Sequence, residues 1–115
     1  MYKFAYAEIL DEAGTSGRER ERQAFDMAMD LLVQAQAAGP GSPEMRTALL
    51  TVQKMWRFFI ADIADAQNEL PETLRVNLAS LGLWIIQEAD RILSDPTRDV
   101  ALLIDVNRTI RDGLK

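Results

Sequence analysis

Between Met45 and Ile63 the apolar residues follow a spacing that suits a helix and not a strand. Met45, Ala48, Leu49, Val52, Met55, Trp56, Phe59, Ile60 and Ile63 recur at intervals of three and four, which places them on one face of a 3.6-residue helix, and alternation at period two does not fit them. The segment Leu70–Glu88 is also helical in pattern, begins with Pro71, and is apolar on more than one side. Leu74, Leu78, Leu81, Ile85, Ala89 and Ile92 make its main stripe, while Val76, Ala79, Leu83 and Ile86 make a second one well round from the first. A helix apolar on two sides is either central in a bundle or keeps one face for a partner.

The breaks between these segments are marked by capping chemistry. Ser16 followed by Glu19 fits a capping box, in which each side chain satisfies an otherwise orphaned backbone donor, and the helix it opens runs to about Ala38 with Ala24, Phe25, Ala28, Met29, Leu31, Leu32 and Ala35 as its core stripe. Gly39-Pro40-Gly41-Ser42-Pro43 stops that helix and starts the next, with Ser42 as N-cap and Pro43 at the first helical position. Residues 66–69 connect tightly to Pro71, and Ser94-Asp95-Pro96-Thr97 breaks the chain again. A last helix points Val100, Leu103, Ile104, Ile110 and Leu114 to the core, with Leu102 and Val106 to one flank and Gly113 as its stop. Short connections between these helices predict largely antiparallel packing.

The expected fold is therefore all-α: a compact bundle of four main helices plus a short N-terminal segment, forming one domain over residues 1–115. A chain of 115 residues has room for one such core, and 48% apolar with 27% charged residues is a globular composition. The N-terminal segment, residues 2 to 10, carries Tyr2, Phe4 and Tyr6. Their i,i+2 spacing gathers them on a strand and spreads them round a helix, so both a terminal arm packed over a groove and an ordinary docked helix remain open.

Composition also removes several functions. Without cysteine there are no disulfides and no thiolate metal sites. Without histidine the commonest general base and transition-metal ligand are gone. Gly39-Pro40-Gly41 lacks the lysine and the strand of a phosphate loop, and Asp62 with Asp65 is a pair expected by chance among 18 acids. The reading is a non-enzyme with no catalytic residues, no cofactor and no metal. A net charge of −5 and a pI near 4.7 oppose direct nucleic-acid binding, because the basic residues are scattered among acids. No run approaches the ~20 apolar residues that span a bilayer, and the first ten residues make a poor signal peptide, so the expected location is cytoplasmic with no membrane contact. The run Arg18-Glu19-Arg20-Glu21-Arg22 reads as a solvated first turn with i,i+3 pairs such as Arg18–Glu21. Trp56 reads as core, Trp84 as either core or partner anchor. Asn107, on the apolar face of the last helix, reads as a structural hydrogen-bonding group.

One resemblance carries further than these patterns. Met1-Tyr2-Lys3-Phe4-Ala5-Tyr6-Ala7-Glu8, Arg20-Glu21-Arg22-Gln23-Ala24-Phe25 with the Leu31-Leu32 that follows, Trp56…Phe59-Ile60…Asp62-Ile63-Ala64…Asn68-Glu69-Leu70-Pro71…Leu74-Arg75, Leu81-Gly82-Leu83-Trp84-Ile85, and Leu103-Ile104-Asp105-Val106-Asn107…Ile110-Arg111-Asp112-Gly113-Leu114 together resemble the flagellar biosynthesis regulator FlaF family over nearly the whole chain. Phe25 stands where an aliphatic residue is expected, which bears on packing only. The resemblance implies a cytoplasmic flagellum biogenesis factor that acts on flagellin, alongside a second regulator, FlbT, that controls flagellin mRNA translation. It implies no catalytic residues. The expected activity is binding of flagellin in the manner of a secretion chaperone, promoting flagellin production and filament assembly. The alternative is post-transcriptional regulation of flagellin expression through FlbT without chaperoning. A homodimer interface on the second apolar stripe is a third option. The partner surface is expected at Val76, Leu83, Ile86, Leu102 and Val106 together with Tyr2, Phe4 and Tyr6.

Overall fold

A computed structural model describes residues 17–65 and 68–113. Over them the chain forms four α-helices, α1 (Gly17–Ala38), α2 (Pro43–Ile63), α3 (Glu72–Ser94) and α4 (Ala101–Gly113), with no strand among the described residues. The all-α four-helix expectation is what the structure shows. The expected caps are also in place where they are described. Ser42 has extended backbone, its hydroxyl accepts from the Met45 N–H at 3.1 Å, and Pro43 begins α2. The preceding turn needs left-handed backbone at Gly39 (φ 105°) and Gly41 (φ 72°), a conformation that a side chain would disfavour. Ser16 lies outside the described residues.

The helices run antiparallel to their sequence neighbours. Phe25 meets Trp56 and Phe59, whereas Leu31 and Gln34 lie beside Pro43 and Thr47, so α1 and α2 point in opposite directions. Gln53 reaches Ile86 and Asp90, while Arg75 reaches back to Ile63, which fixes the same relation for α2 and α3. α2 packs along α1 on one side and α3 on the other; α4 docks chiefly on α1 and meets α3 at few points. The central helix is therefore α2, and α3 lies on the flank.

The core is built on the α2 stripe. Ala48, Leu49, Val52 and Trp56 are completely buried, with Met45, Phe59 and Ile63 nearly so. Phe25, Trp56 and Phe59 form an edge-to-face trio with ring centroids 5.2–5.9 Å apart and interplanar angles of 70–88°, a geometry that adds to the apolar burial. The unexpected aromatic at position 25 is thus a packing element. The Trp56 Nε1–H donates to Asn107 Oδ1 at 2.8 Å, and Asn107 Nδ2 donates to the Leu103 carbonyl at 2.7 Å. Both polar groups of this fully buried amide are satisfied, as a buried amide requires.

Gly82 sets how closely α3 approaches. A Cβ there would stand 2.5 Å from Trp56 Cε3 and 2.9 Å from Ile60 Cδ1. The buried line of α3 consequently runs through Gly82, Ile85, Ala89 and Ile92. This corrects the expected stripe at its N-terminal end: Leu78 and Leu81 lie at the margin of the contact, half-buried, and Leu74 is 43% exposed. Ala24 of α1 is likewise exposed instead of core.

The joint between α2 and α3 is held by polar residues. Asn68 is buried; its Nδ2 donates to the Asp62 carbonyl at 3.2 Å and its Oδ1 accepts from the Leu70 N–H at 2.9 Å. Arg75 donates through Nε to the Leu70 carbonyl at 3.1 Å and reaches the Ile63 carbonyl at 3.4 Å, satisfying an acceptor that the end of a helix leaves open. At the other end of α3, Glu88 accepts a forked pair of hydrogen bonds from Arg98 (3.0 and 3.2 Å) and one from Arg91 (3.1 Å), tying the 95–100 loop to the bundle.

Candidate partner-binding surface

Placing α3 on the flank leaves two residues of its second stripe exposed, while Ala79 and Ile86 pack against the core. Val76 and Leu83 are 57% and 54% exposed, and their separation of seven residues puts them two turns apart on one face. Every exposed α3 residue from Thr73 to Gln87 is uncharged. Arg75, the one charged residue in that span, is half-buried and engaged by the joint. An uncharged face of this length is unusual on a chain with 27% charged residues, and depletion of charge is what distinguishes the centre of an interface from ordinary surface.

The other expected residues divide. Ile86 is half-buried and packed against the core, and its carbonyl accepts from Gln53 Nε2 at 3.0 Å. On α4, Leu102 is 53% exposed and Val106 is partly buried against the core. Because α4 docks mainly on α1 and meets α3 at few points, these residues form two faces and not one patch. Tyr2, Phe4 and Tyr6 lie outside the described residues. Trp84 is partly buried against the core, between its two readings.

The structure also shows a second apolar feature that the sequence reading missed. A cleft of about 330 Å³ opens between the beginning of α1 and the end of α2, lined by Glu21, Ala24, Phe25, Met55, Phe58 and Phe59. Phe58 on its rim is 75% exposed, the most exposed large apolar side chain of the described residues. Its signal was in the sequence. Phe58 and Phe59 are adjacent in a helix and therefore point about 100° apart, so only one of them can lie on the core stripe.

Glu21 departs from the solvated first turn expected of the Arg18–Arg22 run. It is 3% exposed, and burial pushes its carboxyl up to about 11, so it is protonated at neutral pH. The cleft is accordingly apolar or neutral on all of its described walls. Elsewhere Arg111 pairs with Asp26 at 2.7 Å, joining α4 to α1; the carboxylates of Asp26 and Asp112 hold the Arg111 guanidinium further toward its charged form. Among the described residues no three metal-ligating side chains cluster, and no helix is long and apolar enough to cross a membrane.

Fold and surface together define a small all-α protein whose apolar side chains are distributed between a closed aromatic core and exposed helix faces. The model of the flagellar protein FlaF family matches residues 2–114, and the chain belongs to that family. Comparison with curated proteins gives no significant match, and neither does comparison with solved structures. Several of the segments that carried the resemblance have structural work in this fold: Asn68, Leu70 and Arg75 build the α2–α3 joint, Gly82 admits Trp56, and Asn107 satisfies the indole. Val76 and Leu83 have no such work among the described contacts.

Proposed function

We propose that this flagellar protein is a cytoplasmic binding factor for flagellin, acting like a secretion chaperone and thereby promoting flagellin production and filament assembly. The observation that carries the reading is the uncharged, exposed Val76–Leu83 face of α3 on a protein of a flagellar family. Two apolar anchors separated by two helical turns suit a client helix laid along the face, since an amphipathic partner presents its own apolar residues at i, i+4 and i+7. Terminal segments of a filament subunit that are amphipathic need such cover before assembly, and the net charge of −5 keeps the covered complex soluble.

Regulation through FlbT without a client is the competing reading, and it uses the same exposed face. The acidic charge argues against a direct contact with flagellin mRNA, because counterion release drives such binding only for basic surfaces. The test is affinity purification of the full-length protein from flagellated cells, followed by titration of each purified component against it. Direct, saturable binding of flagellin supports the proposal. Retention of FlbT or RNA with no direct affinity for flagellin overturns it.

A further inference from the structure

The outer surface of α2 carries a charge opposite to that of the whole chain. Between Met45 and Ala61 the helix has Arg46, Lys54 and Arg57 and no acidic residue, on a protein with a net charge of −5. All three cations are exposed, and the ion pairs among the described residues lie elsewhere, on Asp26, Glu88, Asp105 and Asp112. Lys54 and Arg57 share their face with Leu50, which precedes them by four and seven residues and is 44% exposed.

This face borders the exposed side of α3. Gly82 abuts Trp56, and the next residue on each helix turns about 100° away from that contact. Because α2 and α3 run antiparallel, both turns lead to the same side, so Arg57 and Leu83 flank one seam. Gln53 lies in its floor, donating from Nε2 to the Ile86 carbonyl at 3.0 Å and to Asp90 Oδ1 at 2.7 Å. The two edges of the seam differ. The α2 edge is cationic at Lys54 and Arg57, whereas the α3 edge from Val76 to Gln87 is apolar or neutral. The α3 acids on this side, Glu72 and Asp90, stand at the two ends, and Asp90 is engaged by Gln53.

We propose that the seam docks an amphipathic helix of a partner protein whose flank toward α2 is acidic. The apolar stripe of that helix covers Leu50, Val76 and Leu83, its carboxylates meet Lys54 and Arg57, and its flank over α3 is polar without charge. Charge complementarity selects a helix over a polyanion. Three cations fall short of the roughly four to eight that anchor a protein to anionic lipid, and the net charge of −5 repels an extended anionic surface or an RNA chain. A single helix with one acidic flank meets the cationic strip locally. The proposal rests on α3 being a binding side and adds the chemistry of the client to it.

Two synthetic helical peptides with the same leucine stripe test it, one with glutamates along one flank and one with lysines there. Net charge alone favours the lysine peptide, so a preference for the glutamate peptide reports the α2 strip. Anisotropy titrations of the full-length protein should show the glutamate peptide bound about fivefold more tightly, as two exposed ion pairs provide. The preference should shrink at high salt and vanish when Lys54→Glu and Arg57→Glu are combined, with helical circular dichroism unchanged because both sites are exposed. Leu83→Ser should weaken both peptides. Equal affinities, a preference for the lysine peptide, no binding of either, or binding that ignores Leu83→Ser would overturn the proposal. Tighter binding to anionic vesicles or to RNA than to the glutamate peptide would also overturn it, as would self-association abolished by the charge reversal, which would assign the seam to a second copy. Flagellin titrated in parallel separates the two claims. A glutamate-peptide preference without flagellin binding supports the acidic-flank client and removes flagellin as that client. Equal peptide affinities with flagellin binding weakened by Leu83→Ser overturn the acidic flank and leave flagellin in place.

Discussion

Gly82 and Leu83 are neighbours in sequence and opposites in consequence. Gly82 is on the inner side of α3, where even one added carbon meets the Trp56 ring and the Ile60 methyl group. Leu83 turns outward, more than half exposed, on a face without charge. One helix thus presents a side at which packing allows almost no change and a side at which the fold makes no demand. The inner side explains why this chain is a bundle; the outer side is the part of α3 left for something else. The comparison also separates stability from function, because substitutions on the two sides should move different measurements.

The largest effect is expected in the core against which Gly82 packs. Phe59→Ala removes one ring of the aromatic trio and should cost about 3–5 kcal/mol in urea unfolding, the usual range for a buried phenylalanine. A loss below about 1 kcal/mol would mean that the trio does not organise the bundle. Gly82→Ala comes next. The added Cβ forces Trp56 or Ile60 to shift, and overpacking of this kind costs about 1–3 kcal/mol, whereas Leu83→Ala on the neighbouring position should change stability by less than about 0.5 kcal/mol. Equal effects from the two would erase the distinction between the sides of α3.

Glu21 gives a pH-dependent effect of intermediate size. Its folded-state carboxyl is raised from 4.5 to about 11, so the folded protein holds this proton more tightly than the unfolded chain does. The stabilisation from the protonated group is complete below about 4.5 and declines as the pH climbs from there toward 11. Glu21→Gln keeps the neutral shape and removes the titration. The variant should be more stable than the parent at pH 8, with the gap narrowing by pH 5. Denaturation at both pH values checks this, and a gap that widens toward pH 5 would reverse the sign of the burial effect.

Much of this fold was legible because it is written in spacing. The α2 stripe, the Ser42–Pro43 start and the structural role of Asn107 all follow from periodicity or from a polar residue in an apolar row. What escaped was information carried by absence or by adjacency. Glycine adds nothing to an apolar stripe, so counting apolar residues centred the α3 contact on Leu78 and Leu81 and not on Gly82. Glu21 reads as solvated because its neighbours in sequence are charged, while its burial comes from the bundle geometry. Phe58 was counted with neither face, although a Phe-Phe pair in a helix must expose one ring or find it a second cover. Of the expected partner surface, Val76, Leu83 and Leu102 proved exposed and Ile86 and Val106 largely committed to packing, because pattern alone places a residue on a face without saying how far the neighbouring helix reaches over it.

The most direct test of a separate binding side on α3 is Leu83→Glu in the full-length protein, measured for both folding and flagellin affinity. A carboxylate on a solvent-exposed position costs the free protein little, but it must be desolvated without a partner once an apolar client helix covers it. The expected result is unchanged circular dichroism and urea midpoint with flagellin binding weakened at least tenfold, equivalent to about 1.4 kcal/mol. An unfolded variant would place Leu83 in the core, and a folded variant that binds flagellin as tightly as the parent would show that the outer side of α3 is not the binding surface.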